Sequence, residues 1–286
     1  MCTVVLLRRP QAPWPLLLAA NRDELQSRPW RPPARHWPDR PDVVAGLDVQ
    51  AGGSWLGVND DGVVAAILNR VGSLGPATGK RSRGELVLEA LDHADAAAAA
   101  KALVDLDPDA YRPFNLLIAD ARDAFWLRHV GGLPRFGYRD GSGAWREVDA
   151  ASMPAAGSPD GHGKPKALRS APIECRPLPE GCSMITARDL NDATSARVRH
   201  FLPQFERAAP PDPGADTWDA WIDLLGRRAA PGAEPGDAPE DAMTIVTDGD
   251  FGTVCSTLIA LPAFGTPVMK FAAGPPDRTP FERVAL

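Results

Sequence analysis

Chemistry-bearing residue types fall at telling positions along this chain, beginning with Cys2 directly after Met1. A side chain as small as cysteine's permits removal of an initiator methionine, which leaves an α-amine and a thiol on one residue. An α-amine titrates near ~7.7 to 8.0 and a thiol near ~8.5, so modest shifts bring both into range at neutral pH. The amine then serves as base for its own thiol, the activation used by N-terminal nucleophiles. A second stretch, Asn21-Arg22-Asp23-Glu24, closes the apolar run Leu16 to Ala20. If that run pairs as a hairpin with Thr3 to Leu7, the cluster comes beside Cys2. Arg22 is then placed to lower the thiol's pKa and Asp23 to hold the α-amine, since an opposite charge favours each ionised form. A third residue, Asn69, ends the apolar run Val63 to Leu68. An amide there offers an N–H to a developing oxyanion, a contribution of ~3 kcal/mol where such donors have been removed. Each feature alone has a plainer reading: a frayed terminus, a solvated turn with an ion pair, and a turn-capping Asn.

The elements that must position these residues read as mostly antiparallel strands. Asn59-Asp60-Asp61-Gly62 between Ser54 to Val58 and Val63 to Leu68 is a hairpin signal, because these residues tolerate tight-turn geometry. Asn115 to Ala119 with Ala124 to His129, and Met243 to Thr247 with Thr253 to Leu261, read in the same way. Ser82-Arg83-Gly84-Glu85 forms a capping box opening a helix that extends towards Leu106 with a break at His93. Asp216 caps a second helix carrying Trp218, Trp221, Ile222 and Leu225 on one apolar stripe. A third runs from Ser195 towards Phe205, ended or kinked at Pro203. Gly141 to Pro179 and Arg227 to Asp241 read as loops.

Composition narrows the classes further. The 286 residues carry a net charge of −6 with 30 Pro and 26 Gly, a soluble, loop-interrupted globular chain long enough for one large domain. No apolar stretch reaches transmembrane length and no signal-peptide pattern opens the chain, so the expected compartment is the cytoplasm. The Cys and His spacings include no zinc motif. Arg28, Arg31, Arg35, His36 and Arg40, interleaved with Trp30 and Trp37, read as a proline-rich loop near a pocket. The acidic whole disfavours nucleic acid. Asp248-Gly249-Asp250 reads as a turn before a cation site, and Cys255 as an inert buried thiol.

Met1-Cys2-Thr3, Ala19-Ala20-Asn21-Arg22-Asp23-Glu24, Ser27-Arg28-Pro29, Ala45-Gly46-Leu47-Asp48, Gly52-Gly53-Ser54-Trp55-Leu56-Gly57 and Arg83-Gly84-Glu85-Leu86, in this order, resemble the NRDE family, also called the transport and Golgi organisation protein 2 family. Phe114-Asn115-Leu116-Leu117-Ile118-Ala119-Asp120 extends the likeness; the remainder matches more loosely. This family is similar to the N-terminal nucleophile (Ntn) hydrolases of the choloylglycine hydrolase and penicillin V acylase type. The kinship implies an α+β, four-layer αββα sandwich over residues 1–286. It also implies Cys2, Arg22, Asp23 and Asn69 as catalytic residues, with Asn21, Glu24, Asn115 and Arg197 as binding residues; Arg197 rests on the faint echo Ser195-Ala196-Arg197-Val198-Arg199. Where related hydrolases carry a second amide, this chain reads Ile185-Thr186-Ala187, with Asn191 as a displaced substitute. The expected function is a cysteine hydrolase of an amide or related acyl bond in a small molecule, with no cofactor or metal. The rival is a non-enzymatic carrier of haem or a lipid-like acyl ligand on the same fold.

Overall fold

Alternating apolar residues build antiparallel sheets whose inner faces meet. The structure, a computed structural model, describes residues 2–131, 136–139, 145–148, 166–167, 171–229 and 241–286. In chain order the strands begin with β1 (Thr3–Arg8), β2 (Leu16–Leu25), β3 (Trp30–Ala34), β4 (Val43–Asp48), β5 (Leu56–Asn59), β6 (Val64–Asn69), β7 (Phe114–Ala119) and β8 (Ala124–His129). They continue with β9 (Phe136–Arg139), β10 (Trp145–Val148), β11 (Lys166–Ala167), β12 (Glu174–Pro177), β13 (Gly181–Ile185), β14 (Phe251–Leu261), β15 (Val268–Ala272) and β16 (Glu282–Arg283). The first sheet has the order β13-β1-β2-β14-β15-β16 and the second β12-β8-β7-β6-β5-β4-β3, with a small third sheet β10-β9-β11. The helices are α1 (Gly84–Leu91), α2 (Ala96–Val104), α3 (Ala196–Arg207) and α4 (Asp219–Leu225).

Side-chain alternation sorts the core into layers. Between the sheets, Leu6, Leu16 and Leu18 of the first meet Val44, Val58, Ala66 and Leu117 of the second. The outer face of the second sheet, Val43, Ala65, Leu116 and Ile118, is covered by α1 and α2. The outer face of the first, Val5, Leu17, Ala19 and Leu258, is covered by α3 and α4, where Phe205 meets Trp221 edge-on at 5.4 Å. The result is the four-layer αββα sandwich. Each such fully buried Leu contributes about 1.5 to 3 kcal/mol. Among the described residues no helix is long and apolar enough to cross a membrane.

Local expectations and outcome differ instructively. The hairpins β1/β2, β5/β6 and β7/β8 form as their turn residues indicate. The segment 243–247 is not a strand, because β14 is already flanked by β2 and β15. The helix does break near His93, and Asp95 caps α2 by accepting from the Ala98 N–H at 2.7 Å. Ser82 Oγ accepts from Gly84 N at 3.2 Å and not from Glu85, whose carboxylate instead takes Arg81, so no capping box closes. Asp216 caps nothing: its carboxylate holds Lys270 at 2.9 Å and α4 starts beyond it, though Trp218 and Trp221 are buried as expected. Pro203 sits inside α3, which runs on to Arg207. Strands at 145–148, 166–167 and 174–177 interrupt the expected loop 141–179; most of that loop and of 227–241 lies outside the described residues.

Candidate functional site

Strand alternation decides which members of Asn21–Glu24 meet the thiol. These four residues lie within β2, not beyond its tip, because pairing with β14 carries the strand on to Leu25. Leu16, Leu18 and Ala20 face the opposite sheet while Leu17 and Ala19 face the helices. By the period of two, Arg22 and Glu24 fall on the inter-sheet side, Asn21 and Asp23 on the helix side. Cys2 packs against the inter-sheet core. Thr3 stands opposite Asn21, so the same register carries Cys2 opposite Arg22. Its Sγ rests against the Asp23 backbone, 3.4 Å from the amide nitrogen and 3.5 Å from the carbonyl oxygen. A narrow cleft opens here between the sheets. Cys2, Arg22 and Thr257 line it on one side and Trp55, Ile67 and Leu68 on the other, with about 20 Å³ of free volume, room for about one water.

Arg22 is 5 % exposed, with Cζ 4.3 Å over the Trp55 ring, a cation–π contact. Its Nη1 is buried with no hydrogen-bond partner among the described residues. Its ion pair with Glu24 is long, 3.9 Å, and Glu24 also faces Arg28 at 3.8 Å. Trp55 is set by its surroundings: a Cβ at Gly46 would lie 2.3 Å from the indole, so only glycine admits the ring there, and Trp30 meets it edge-on at 6.0 Å.

The helix-side residues are bound into the scaffold. The Asp23 carboxylate accepts from Thr253 Oγ1 at 2.6 Å and pairs with Arg197 Nη1 at 3.3 Å. Arg197, in the first turn of α3, also donates to Thr3 Oγ1 at 2.6 Å, so it locks α3 to β1 and β2 directly behind Cys2. Asn21 Nδ2 donates to the carbonyls of Leu225 and Met243, and its Oδ1 accepts from Ser256 Oγ. The Cys2 thiol departs from expectation: burial first, and the Asp23 charge second, push it up, outweighing the N-terminal ammonium, the Asp23 backbone N–H and the Arg22 cation that pull it down.

Asn69, half-buried at the end of β6, pairs in register with Phe114 and is not among the residues lining the cleft. Asn115 is wholly buried and fully engaged. Its Nδ2 donates to Thr186 O and Arg188 O, and its Oδ1 accepts from Arg70 and from Trp126, tying the second sheet to the segment after β13. Val4 pairs with Ile185, so continuing that register brings Ala187 beside Cys2. Asn191 does not replace the amide missing there: at φ 55° it accepts from Met184 N at 2.7 Å, its side chain committed to a turn. Of the basic residues near Trp30, Arg28, Arg35 and Arg40 pair with Asp48, Asp60 and Asp92. Asp250 accepts from Ser27. Cys255 is buried opposite Arg22, and burial pushes its thiol up. Sequence reasoning missed Trp55 and Thr253 as neighbours of Arg22 and Asp23. The one local mark was on Trp55, a tryptophan framed by glycines, which flags a closely packed ring and not the partner it meets.

Residues 1–136 match the family model described as Transport and Golgi organisation 2. The Transport and Golgi organization protein 2 homolog of Bos taurus is 38% identical over 110 residues, 37% of this chain and 38% of the relative. Its Homo sapiens counterpart is 37% identical over 114 residues, 38% of this chain and 40% of the relative. The match thus spans about two fifths of the curated relatives' length. Among solved structures, a Caenorhabditis elegans N-acylethanolamine-hydrolyzing acid amidase ortholog superposes with a TM-score of 0.51 at 11% identity, over 90% of this chain and 92% of that one. This likeness shows the fold: mixed α/β, with mostly antiparallel sheets.

Proposed function

With residues 1–136 matching the Transport and Golgi organisation 2 family model, we propose that the chain is a cysteine hydrolase of the N-terminal nucleophile type, cleaving an amide or related acyl bond of a small molecule. The observation that carries this reading is the Cys2 thiol in the inter-sheet cleft with Arg22 on the same face. Once Met1 is removed, the α-amine of Cys2 takes the thiol proton as Sγ attacks the acyl carbon. The same proton passes to the departing amine as the carbon–nitrogen bond breaks, and water then hydrolyses the thioester to a carboxylic acid and the free thiol. Asp23, fixed by Thr253 and Arg197, holds the strand that cradles the sulfur. Asn69 stands outside the cleft lining, one residue beyond Leu68 of its wall, and this reading requires its amide to turn towards Cys2 to serve as the oxyanion donor.

A second reading, a carrier of haem or a lipid-like acyl ligand, draws support from Ala187 beside Cys2 and from the committed side chain of Asn191. Intact mass and site-resolved labelling separate the two. The hydrolase reading expects Met1 to be absent and an acylating thiol probe to modify Cys2 faster than Cys175 or Cys182, with Cys2→Ala abolishing that label. Retained Met1 and labelling of Cys2 no faster than of Cys175 would overturn it, and a Soret shift on haem titration would favour the carrier.

A further inference from the structure

The cleft leaves one charge unanswered. Arg22 is almost wholly buried, yet among the described residues its Nη1 meets no acceptor and its only ion pair is the 3.9 Å approach to Glu24. Glu24 is shared with Arg28, which forks onto Asp48 at 3.0 and 2.7 Å. Asp23, the adjacent carboxylate in sequence, points to the opposite face of the sheet and meets Arg197. Burying a guanidinium N–H without an acceptor is costly, so such a group is completed by a ligand when one is at hand. What covers Arg22 instead is the face of Trp55, at 4.3 Å. A cation–π contact holds a guanidinium less strongly than a carboxylate's paired hydrogen bonds do. Both residues line the cleft that holds the Cys2 thiol. With room for about one water beside them, a larger group enters only if the indole yields its place.

We propose that Arg22 and Trp55 form a carboxylate subsite beside Cys2: the molecule bound here carries a carboxylate that replaces the Trp55 face on Arg22 and satisfies its Nη1. The inference rests on the hydrolase reading for its place in a reaction, and narrows the substrate class to acyl compounds bearing a carboxylate near the carbonyl that Cys2 attacks. A neutral acyl compound gains nothing from Arg22 and has nothing to offer in exchange for the indole.

Iodoacetate and iodoacetamide test this on the full-length chain, because they have matched size and both need the thiolate, so the thiol's own pKa cancels in their rate ratio. Peptide mass spectrometry gives that ratio at Cys2 and, as internal reference, at Cys175. The subsite requires the iodoacetate-to-iodoacetamide ratio at Cys2 to exceed that at Cys175 by about tenfold, the size of one charged hydrogen bond, and Arg22→Gln to remove the excess. Acetate should also slow iodoacetamide labelling of Cys2 in the unmutated chain while acetamide does not, a readout independent of whether Arg22→Gln folds. Equal ratios at the two cysteines, or an absence of acetate protection, would overturn the subsite. If Cys2 reacts with neither reagent, the nucleophile reading fails while the subsite is decided by titration. A saturable acetate-dependent fluorescence change in the unmutated chain, lost in Trp55→Phe, supports it, and no such change overturns it.

Discussion

A thiol reacts as its anion, so the burial that raises Cys2 sets the pH at which the residue becomes nucleophilic. While Met1 remains attached, alkylation of Cys2 should keep rising beyond pH ~8.5, the midpoint of an ordinary thiol. Asp23→Asn removes the second cause of the upward shift and should move the midpoint down, towards that of a free cysteine; a pH–rate profile with an unmoved midpoint would refute this balance of charges. Cys2, Arg22 and Asp23 were legible as a group because hairpin pairing is a local inference. Their division between two faces was equally available from the period of two, and it separates Arg22, which meets the cleft, from Asp23, which meets α3. Trp55 was not legible as the partner of Arg22, because the contact joins two sheets and nothing local encodes how sheets stack. Asn21 and Asn115, expected to bind a ligand, are instead occupied with backbone carbonyls; a buried amide and a ligand-binding amide look alike in a sequence.

Elements approach one another only where side chains allow it. The loop before β5 touches the start of α1 through glycine on both sides: a Cβ at Gly53 would stand 2.5 Å from the Gly84 carbonyl carbon, and Ser54 N donates to Gly84 O at 3.1 Å. Because the obstacle is backbone, Gly53→Ala must push α1 outward and should lower the melting temperature by about 5 °C. Gly52→Ala meets no atom within 4 Å and strains only its own φ of +74°, so its loss should be smaller, about 1 kcal/mol. A thermal melt giving the reverse order would contradict this account. Turn chemistry made three hairpins readable, since Gly62 supplies the left-handed conformation its turn needs. The pairing of β14 with β2 escaped because more than two hundred residues separate Asn21 from Ser256, and the two caps failed because Glu85 and Asp216 found stronger partners in Arg81 and Lys270.

At the scale of the molecule, the two sheets are clasped by an ionic knot. Arg70 and Arg128 from the second sheet's side converge on Asp189, which follows β13 of the first, and Arg128 also holds Glu174. Partial burial raises the Asp189 carboxyl, but hydrogen bonds from Arg70 and Arg128 prevail and hold it below its ordinary value. A carboxyl depressed in the folded chain stabilises fully above its unfolded pKa of ~3.9, and that contribution is lost as pH falls through the folded value. Asp189 is 40 % exposed, so screening reduces the term to about 1 kcal/mol. Asp189→Asn should therefore melt about 2 °C lower at pH 7 and converge with the unmutated chain as pH falls through the depressed folded-state value of this carboxyl; a gap that stays constant on acidification would show that the knot's charge is immaterial. None of this was readable beforehand, because it requires knowing which strand ends lie together.

The alternation along β2 has a consequence for how such a chain can vary in length. The turn between Arg8 and Leu16 lies outside the ladder, so it can gain or lose residues and leave every face unchanged. Within Leu16–Asn21 a single inserted residue would rotate the remainder of the strand by half a repeat, turning Asp23 towards Trp55 and driving Arg22 among Val5, Leu17 and Phe201. Natural variants should thus differ in the turn and almost never inside the strand, a pattern of tolerated gaps that would reveal the two-faced cluster without any knowledge of what the protein does.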